Sequence, residues 1–110
     1  MKKFTVAIRG VLLGLSDISI LIQYLIGLLV IVFSLVLKIN SGDFLIVLAL
    51  IFAVIVSEYF NTAIERVCNL YSTDTNQQIR DIKDLSSGAV LLTALLALIL
   101  GMMIFSKYLF

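Results

Sequence analysis

The sequence predicts an all-α integral membrane protein with three transmembrane helices and an N-terminal amphipathic interfacial helix. Three observations lead there. Of 110 residues, 62% are hydrophobic and only 14% charged, and the mean hydropathy is +1.18, far above what a water-covered surface allows. The apolar residues gather into runs long enough to cross a hydrocarbon layer. No proline interrupts them. A chain of this length is one domain, 1–110, with no room for a catalytic domain beside a separate anchor, so any active site must be built from the membrane helices.

In residues 1–16, Phe4, Ala7, Ile8, Val11, Leu12 and Leu15 fall on one helical face. Lys2, Lys3 and Arg9 occupy the rest, which suits a helix lying in the membrane interface with its basic groups towards lipid phosphates. A signal-peptide reading is the alternative, but the apolar run from Ile18 to Leu37 is too long for its core and no small-residue cleavage site follows. That run, closing at Lys38, is the first span (18–38). At 1.5 Å per residue it crosses a core of about 30 Å, with Gln23 its one strongly polar member.

Lys38 to Asp43 forms a short polar turn. The second helix is expected over 44–70: it starts apolar and continues past Val56, because Ser57 to Leu70 contains no Gly or Pro and its polar residues recur at helical spacing. Residues 71–85 read as a cytoplasmic loop that can include helical turns, and the third span is expected over 86–106. Within the loop, Asp74 and Asp81 are expected to be solvated, while Arg80 precedes Lys83 by one helical turn. Three spans put the termini on opposite sides. Lys2, Lys3, Arg9, Arg66, Arg80 and Lys83 outnumber Lys38 and Lys107, so the N-terminus and the polar half of the second helix are expected on the cytoplasmic side.

The chemistry concentrates in Glu58, Asn61, Thr62 and Glu65, at i, i+3, i+4 and i+7 on one helix face, with Asn69 prolonging the stripe. Counted from Phe44, Glu58 lies about 21 Å along the helix, inside or at the edge of the cytoplasmic leaflet. A carboxylate there needs a cation, a proton or a polar partner. One glutamate suits interfacial solvation or an ion pair with Arg66 or Lys83; two, bracketing Asn and Thr, favour function. A net charge of +1 disfavours nucleic-acid binding. Without histidine, and with Cys68 as the lone cysteine, neither a zinc site nor an internal disulfide is available, and Cys68 is expected to be packing. Gly27 and Gly101 are expected to allow close helix approach, and Phe52, Phe60 and Phe105 to pack or face lipid.

The motif Glu58-x-x-Asn61-Thr62-Ala63-Ile64-Glu65, followed by Lys83-Asp84-x-x-Ser87-Gly88-Ala89-Val90, closely resembles the signature of the prokaryotic diacylglycerol kinase family, which includes undecaprenol kinases. The opening Phe4-x-x-Ala7-x-x-Gly10 and the three spans extend the resemblance over nearly the whole chain. The resemblance implies MgATP-dependent phosphorylation of a membrane lipid alcohol by a homotrimer whose active sites are shared between subunits, in a bacterial-type inner membrane. It implies that Glu58 is the general base, Glu65 a magnesium ligand that also contacts ATP, and Asn61 and Ser87 positioning groups, with Lys83, Asp84 and Asn69 as nucleotide contacts.

Two positions depart from the family pattern. The family's glutamate after the N-terminal segment finds its nearest match in Ser16-Asp17-Ile18-Ser19 after a one-residue shift, which makes Asp17 a second candidate metal ligand. The family's aspartate four residues after the second glutamate is Asn69 here, which hydrogen-bonds but carries no charge. No Walker glycine loop is present, so the phosphates would be held in another way. Diacylglycerol and undecaprenol both fit, since the hydroxyl is the reacting part of each. The rival from another class is a non-catalytic assembly or transport subunit. A transporter would be expected to place ionisable groups near the midplane or show an internal repeat, and neither is evident.

Overall fold

A computed structural model describes residues 2–71 and 76–110. The described residues are helical with no strand: α1 (Lys2–Gly14), α2 (Ile18–Leu37), α3 (Ser41–Tyr71) and α4 (Gln77–Leu109). The last three are long and apolar enough to cross a membrane, with mean hydropathies of 2.8, 2.2 and 2.6 over their most apolar stretches. Very little of that apolar surface is turned inward; only 6% of the stretch in α4 is buried. The chain alone therefore has no water-excluding core of ordinary size, and its side chains need lipid or other protein around them.

Each helix boundary has a local cause. α1 closes in a tight turn of i→i+3 bonds, Leu15 N–H to Leu12 C=O, Ser16 N–H to Leu13 C=O and Asp17 N–H to Gly14 C=O, each 3.0–3.1 Å. Asp17 then caps α2: its Oδ1 accepts from the amides of Ser19 and Ile20 at 3.0 and 3.2 Å. α2 ends at Lys38, which takes the left-handed conformation (φ 54°, ψ 47°) while its amide bonds to Leu35 C=O. The Asn40 side chain accepts from Asp43 N–H at 2.8 Å to start α3.

α4 begins with the Asn76 carboxamide accepting from Gln78 N–H at 2.8 Å and, more weakly, from Ile79 N–H at 3.4 Å. It therefore starts well before the span read from the sequence. Of the stretch expected as a loop, Gln77 to Leu85 is helical, because the cap and the burial of Ile79 stabilise turns that have no apolar run of their own. Asp81, expected to be solvated, is exposed and accepts from Gln77 Nε2 at 2.7 Å. Asp74 lies outside the described residues. At 33 residues α4 is about 50 Å long, matching the longest dimension of the molecule, 50 Å, and exceeding a hydrocarbon core of about 30 Å.

The three long helices run up, down and up. α3 is central: it packs along α4 over much of its length and more lightly against α2, whereas α2 and α4 scarcely meet. One stripe of α3 makes these contacts, Asp43, Val47, Val54, Glu58 and Thr62, all buried. The stripe changes from apolar to polar at Glu58, so the face that packs the bundle is also the face that carries the chemistry. Gly27 permits the α2–α3 approach, since a Cβ there would stand 2.7 Å from Ile51 Cγ2. At Gly101 no neighbouring helix among the described residues comes close: nothing lies within 4 Å of the Cβ it lacks, and it lines an open groove. Cys68 is buried and free, and Phe105 packs on Phe33 with ring centroids 5.1 Å apart.

A polar clasp ties the far end of the bundle, away from Glu58. Asp43 Oδ2 accepts from Tyr108 Oη at 2.7 Å and pairs with Lys107 Nζ at 2.9 Å, while Asn40 N–H donates to Tyr108 Oη at 3.0 Å. These bonds join the start of α3 to the end of α4. Elsewhere the hydroxyls of Ser34, Ser57, Thr93 and Ser106 bond back to carbonyls of their own helix turn, which satisfies them without a partner helix.

Candidate active site at the α1–α2 corner and α3

Glu58 sits at the middle of the site and is 8% exposed. The acidic neighbours acting on it are Asp17, at the corner between α1 and α2, and Glu65, two turns further along α3, with Gln23 of α2 as its polar neighbour. Thr62, one turn beyond Glu58 and also buried, donates its hydroxyl to Asp17 Oδ2 at 3.3 Å. Asp17 thus does two things: one oxygen caps α2 and the other reaches α3. Among the described residues no cation lies within 4 Å of any of these three carboxylates. Among the described residues the ion pair within 4 Å is Lys107–Asp43, at the opposite end of the bundle.

Asn61 and Glu65 form a second pair on the next turns of α3. Asn61 Nδ2 donates to Glu65 Oε1 at 2.9 Å. A carboxylate only accepts, so the amide orientation is settled and Asn61 Oδ1 must face the other way. That oxygen is buried and has no partner among the described residues. A buried carbonyl oxygen without a donor is costly by about 1–3 kcal/mol unless a ligand or ion meets it. Carboxylate oxygens such as those of Glu65 are hard donors of the kind magnesium takes, one or two carboxylates with phosphate and water completing its shell. Among the described residues no three acidic, His or Cys side chains gather tightly enough to enclose an ion by themselves.

Lys83 of α4 donates to Asn69 Oδ1 of α3 at 2.7 Å. The bond joins the two residues that the family resemblance implies as nucleotide contacts. Asn69 in place of a carboxylate leaves the ammonium charge uncompensated, and two of its three donors remain for another acceptor. Asp84 and Ser87 are exposed, and no bond brings either to the Glu58 cluster; Ser87 shares the α4 face of Lys83, one turn on. Arg66 is exposed and makes no ion pair with either glutamate.

Tyr24 and Tyr59 also belong to this corner although they lie outside the polar stripe. Their hydroxyls are 2.9 Å apart, and Tyr59 Oη donates to Val11 C=O of α1 at 2.7 Å. The signal available in the sequence was chemical: a phenol in an apolar helix needs a partner for its hydroxyl. Below the cluster, the splay of α2 from α4 leaves an apolar groove of about 700 Å³ along α3. Gln23, Gly27, Val54, Ala97 and Gly101 are among its lining residues, with Gln23 at the end nearest Glu58. A long, mostly apolar cleft of this size with a polar group at one end has the form of a small-molecule site.

Neither a curated protein nor a solved structure gives a match to this sequence. The family model for prokaryotic diacylglycerol kinase matches residues 5–105, all but a few residues at each end. With its three apolar helices and its acidic stripe at one end of α3, the chain belongs to the prokaryotic diacylglycerol kinase family.

Proposed function

We propose that the protein is an ATP- and magnesium-dependent lipid kinase that transfers the γ-phosphate to the hydroxyl of a membrane lipid alcohol, diacylglycerol or undecaprenol, at the cytoplasmic face. The observation that carries this reading is the pairing of a buried Glu58 with Glu65 and an unpartnered Asn61 Oδ1 on one face of α3, in a chain whose family is that of lipid kinases. Glu58 is the general base. It takes the proton of the lipid hydroxyl as that oxygen attacks the γ-phosphorus and ADP leaves. Gln23, at the head of the groove, orients the hydroxyl towards Glu58, and the apolar groove receives the aliphatic part of the acceptor.

Glu65 would hold magnesium, with Asp17 as the second carboxylate, and Asn61, bonded to Glu65, would position the reactants. When bound, the ion offsets charge on the triphosphate. Lys83, steadied by Asn69, meets nucleotide phosphate as a mobile point charge. Asp84 and Ser87 complete the nucleotide side. Both are exposed on this chain, which supports a site finished by a neighbouring copy, and the homotrimer is the assembly proposed.

Purified protein in mixed micelles, given γ-labelled ATP with diacylglycerol or undecaprenol in turn, should label at least one lipid in a magnesium-dependent manner. No labelled lipid from either acceptor would overturn the kinase reading and favour the non-catalytic subunit. Crosslinking in mild detergent should trap trimers, and fully active monomers would overturn the shared site.

A further inference from the structure

Tyr59 makes contacts that the reaction described above leaves unused. The direction of its hydrogen bonds follows from counting protons. A carbonyl only accepts, so the single hydroxyl proton of Tyr59 is given to Val11 C=O, and Tyr24 must donate to Tyr59. Val11 is one of the four residues whose carbonyls the end of α1 leaves without an ordinary intrahelical partner. The other three are taken by the tight turn that follows: Leu12 by Leu15 N–H, Leu13 by Ser16 N–H and Gly14 by Asp17 N–H. Tyr59 takes the fourth from across the bundle. Gly14 lies so close to the Tyr59 ring that any Cβ there would overlap its Cε1, Cζ and Oη atoms. Tyr24 meets the ring edge-on from α2, at 88° between planes.

Only Leu15 and Ser16 separate Gly14 from Asp17, and the amides of both are bonded in the turn. Holding Val11 and Gly14 against Tyr59 therefore holds Asp17. Its carboxylate reaches Thr62, which lies one turn beyond Tyr59 on the same helix. We propose that Tyr59, donating to Val11 with Tyr24 behind it, is a positioning residue that keeps the Asp17 carboxylate in the site beside Thr62 and Glu58. Its catalytic consequence rests on the lipid-kinase reading, whereas its structural consequence does not.

The test is a cycle of Tyr59→Phe, Asp17→Asn and the double variant, since Phe keeps the ring against Gly14 and removes only the hydroxyl. Tyr59→Phe should lower turnover or raise the magnesium requirement by about 10-fold or more, the range seen when a group that orients a ligand is removed. The double variant should be no slower than Asp17→Asn alone, because both changes remove the same interaction. Losses that multiply would mean that Tyr59 acts elsewhere and would overturn the proposal.

Hydrogen exchange gives a readout independent of activity. The amides of Leu15, Ser16 and Asp17 should exchange faster in Tyr59→Phe, and in milder form in Tyr24→Phe, while Tyr71→Phe leaves exchange and turnover unchanged. Unaltered protection in Tyr59→Phe would overturn the proposal. A parent protein that labels no lipid but shows the exchange change would sink the kinase reading and leave the clasp standing.

Discussion

Replacing Glu58 by Gln tests the centre of the site with the least disturbance of its shape. The side chain is 8% exposed, so an alanine would open a cavity, while glutamine fills the same volume and keeps a polar group facing Gln23. Asp17 and Glu65 repel a charge on Glu58, and no cation lies within ion-pair distance of it among the described residues. Removing that charge should therefore leave stability in detergent unchanged or slightly raised. Turnover is another matter. A positioned general base contributes about 10²–10⁴-fold, so the barrier should rise by about 3–5 kcal/mol at 1.36 kcal/mol per decade. Nucleotide affinity, measured by calorimetry with MgATP, should be nearly the parent value. Glu65→Gln should differ, losing MgATP binding and turnover together and recovering partly at high magnesium, because the change removes a metal ligand. The assay is label transfer from γ-labelled ATP to lipid across a magnesium titration, beside thermal unfolding in the same detergent. Parent rates from both variants would refute the reasoning, as would a large stability loss in Glu58→Gln, which would make that glutamate a structural group.

Other perturbations separate the remaining parts. Lys83→Ala should raise KM for ATP by about tenfold, the equivalent of one charge-assisted hydrogen bond of about 1.5 kcal/mol, with the helical circular dichroism intact; an unchanged KM would remove Lys83 from the nucleotide site. Tyr108→Phe deletes the hydroxyl that donates to Asp43 and accepts from Asn40, so detergent stability should fall by about 1–2 kcal/mol with kcat preserved, and a loss of kcat without loss of stability would contradict a purely structural clasp. Lys38→Gly should stabilise the chain by several tenths of a kcal/mol to about 1 kcal/mol, because a side chain in the left-handed region is strained and glycine is not; destabilisation on thermal unfolding would show that the Lys38 side chain matters more than its backbone.

The parts of this protein that were legible in its sequence are those set within a single helix. The extents of α2 and the apolar half of α3 follow from runs of apolar residues and from turn residues beside them. The stripe from Glu58 to Asn69 follows from helical spacing alone, and the family is read from the resemblance of that motif together with Lys83 to Val90 and the Phe4 to Gly10 opening. Placement between helices was not written in that periodicity. The early start of α4 depends on the Asn76 cap and on Ile79 finding a buried position, neither of which an apolar run announces. That Gly27 is crowded while Gly101 faces an open groove depends on which helices converge at each level. Asp17 reads as a residue displaced by one from the family pattern, yet the tight turn after α1 brings it to Thr62, and Tyr59 holds the end of α1 beside it. Spacing along a helix sets which side chains share a face, because rise and rotation per residue are constant. Which side chain of another helix meets that face is decided by how the helices cross, and only the tertiary structure holds that information.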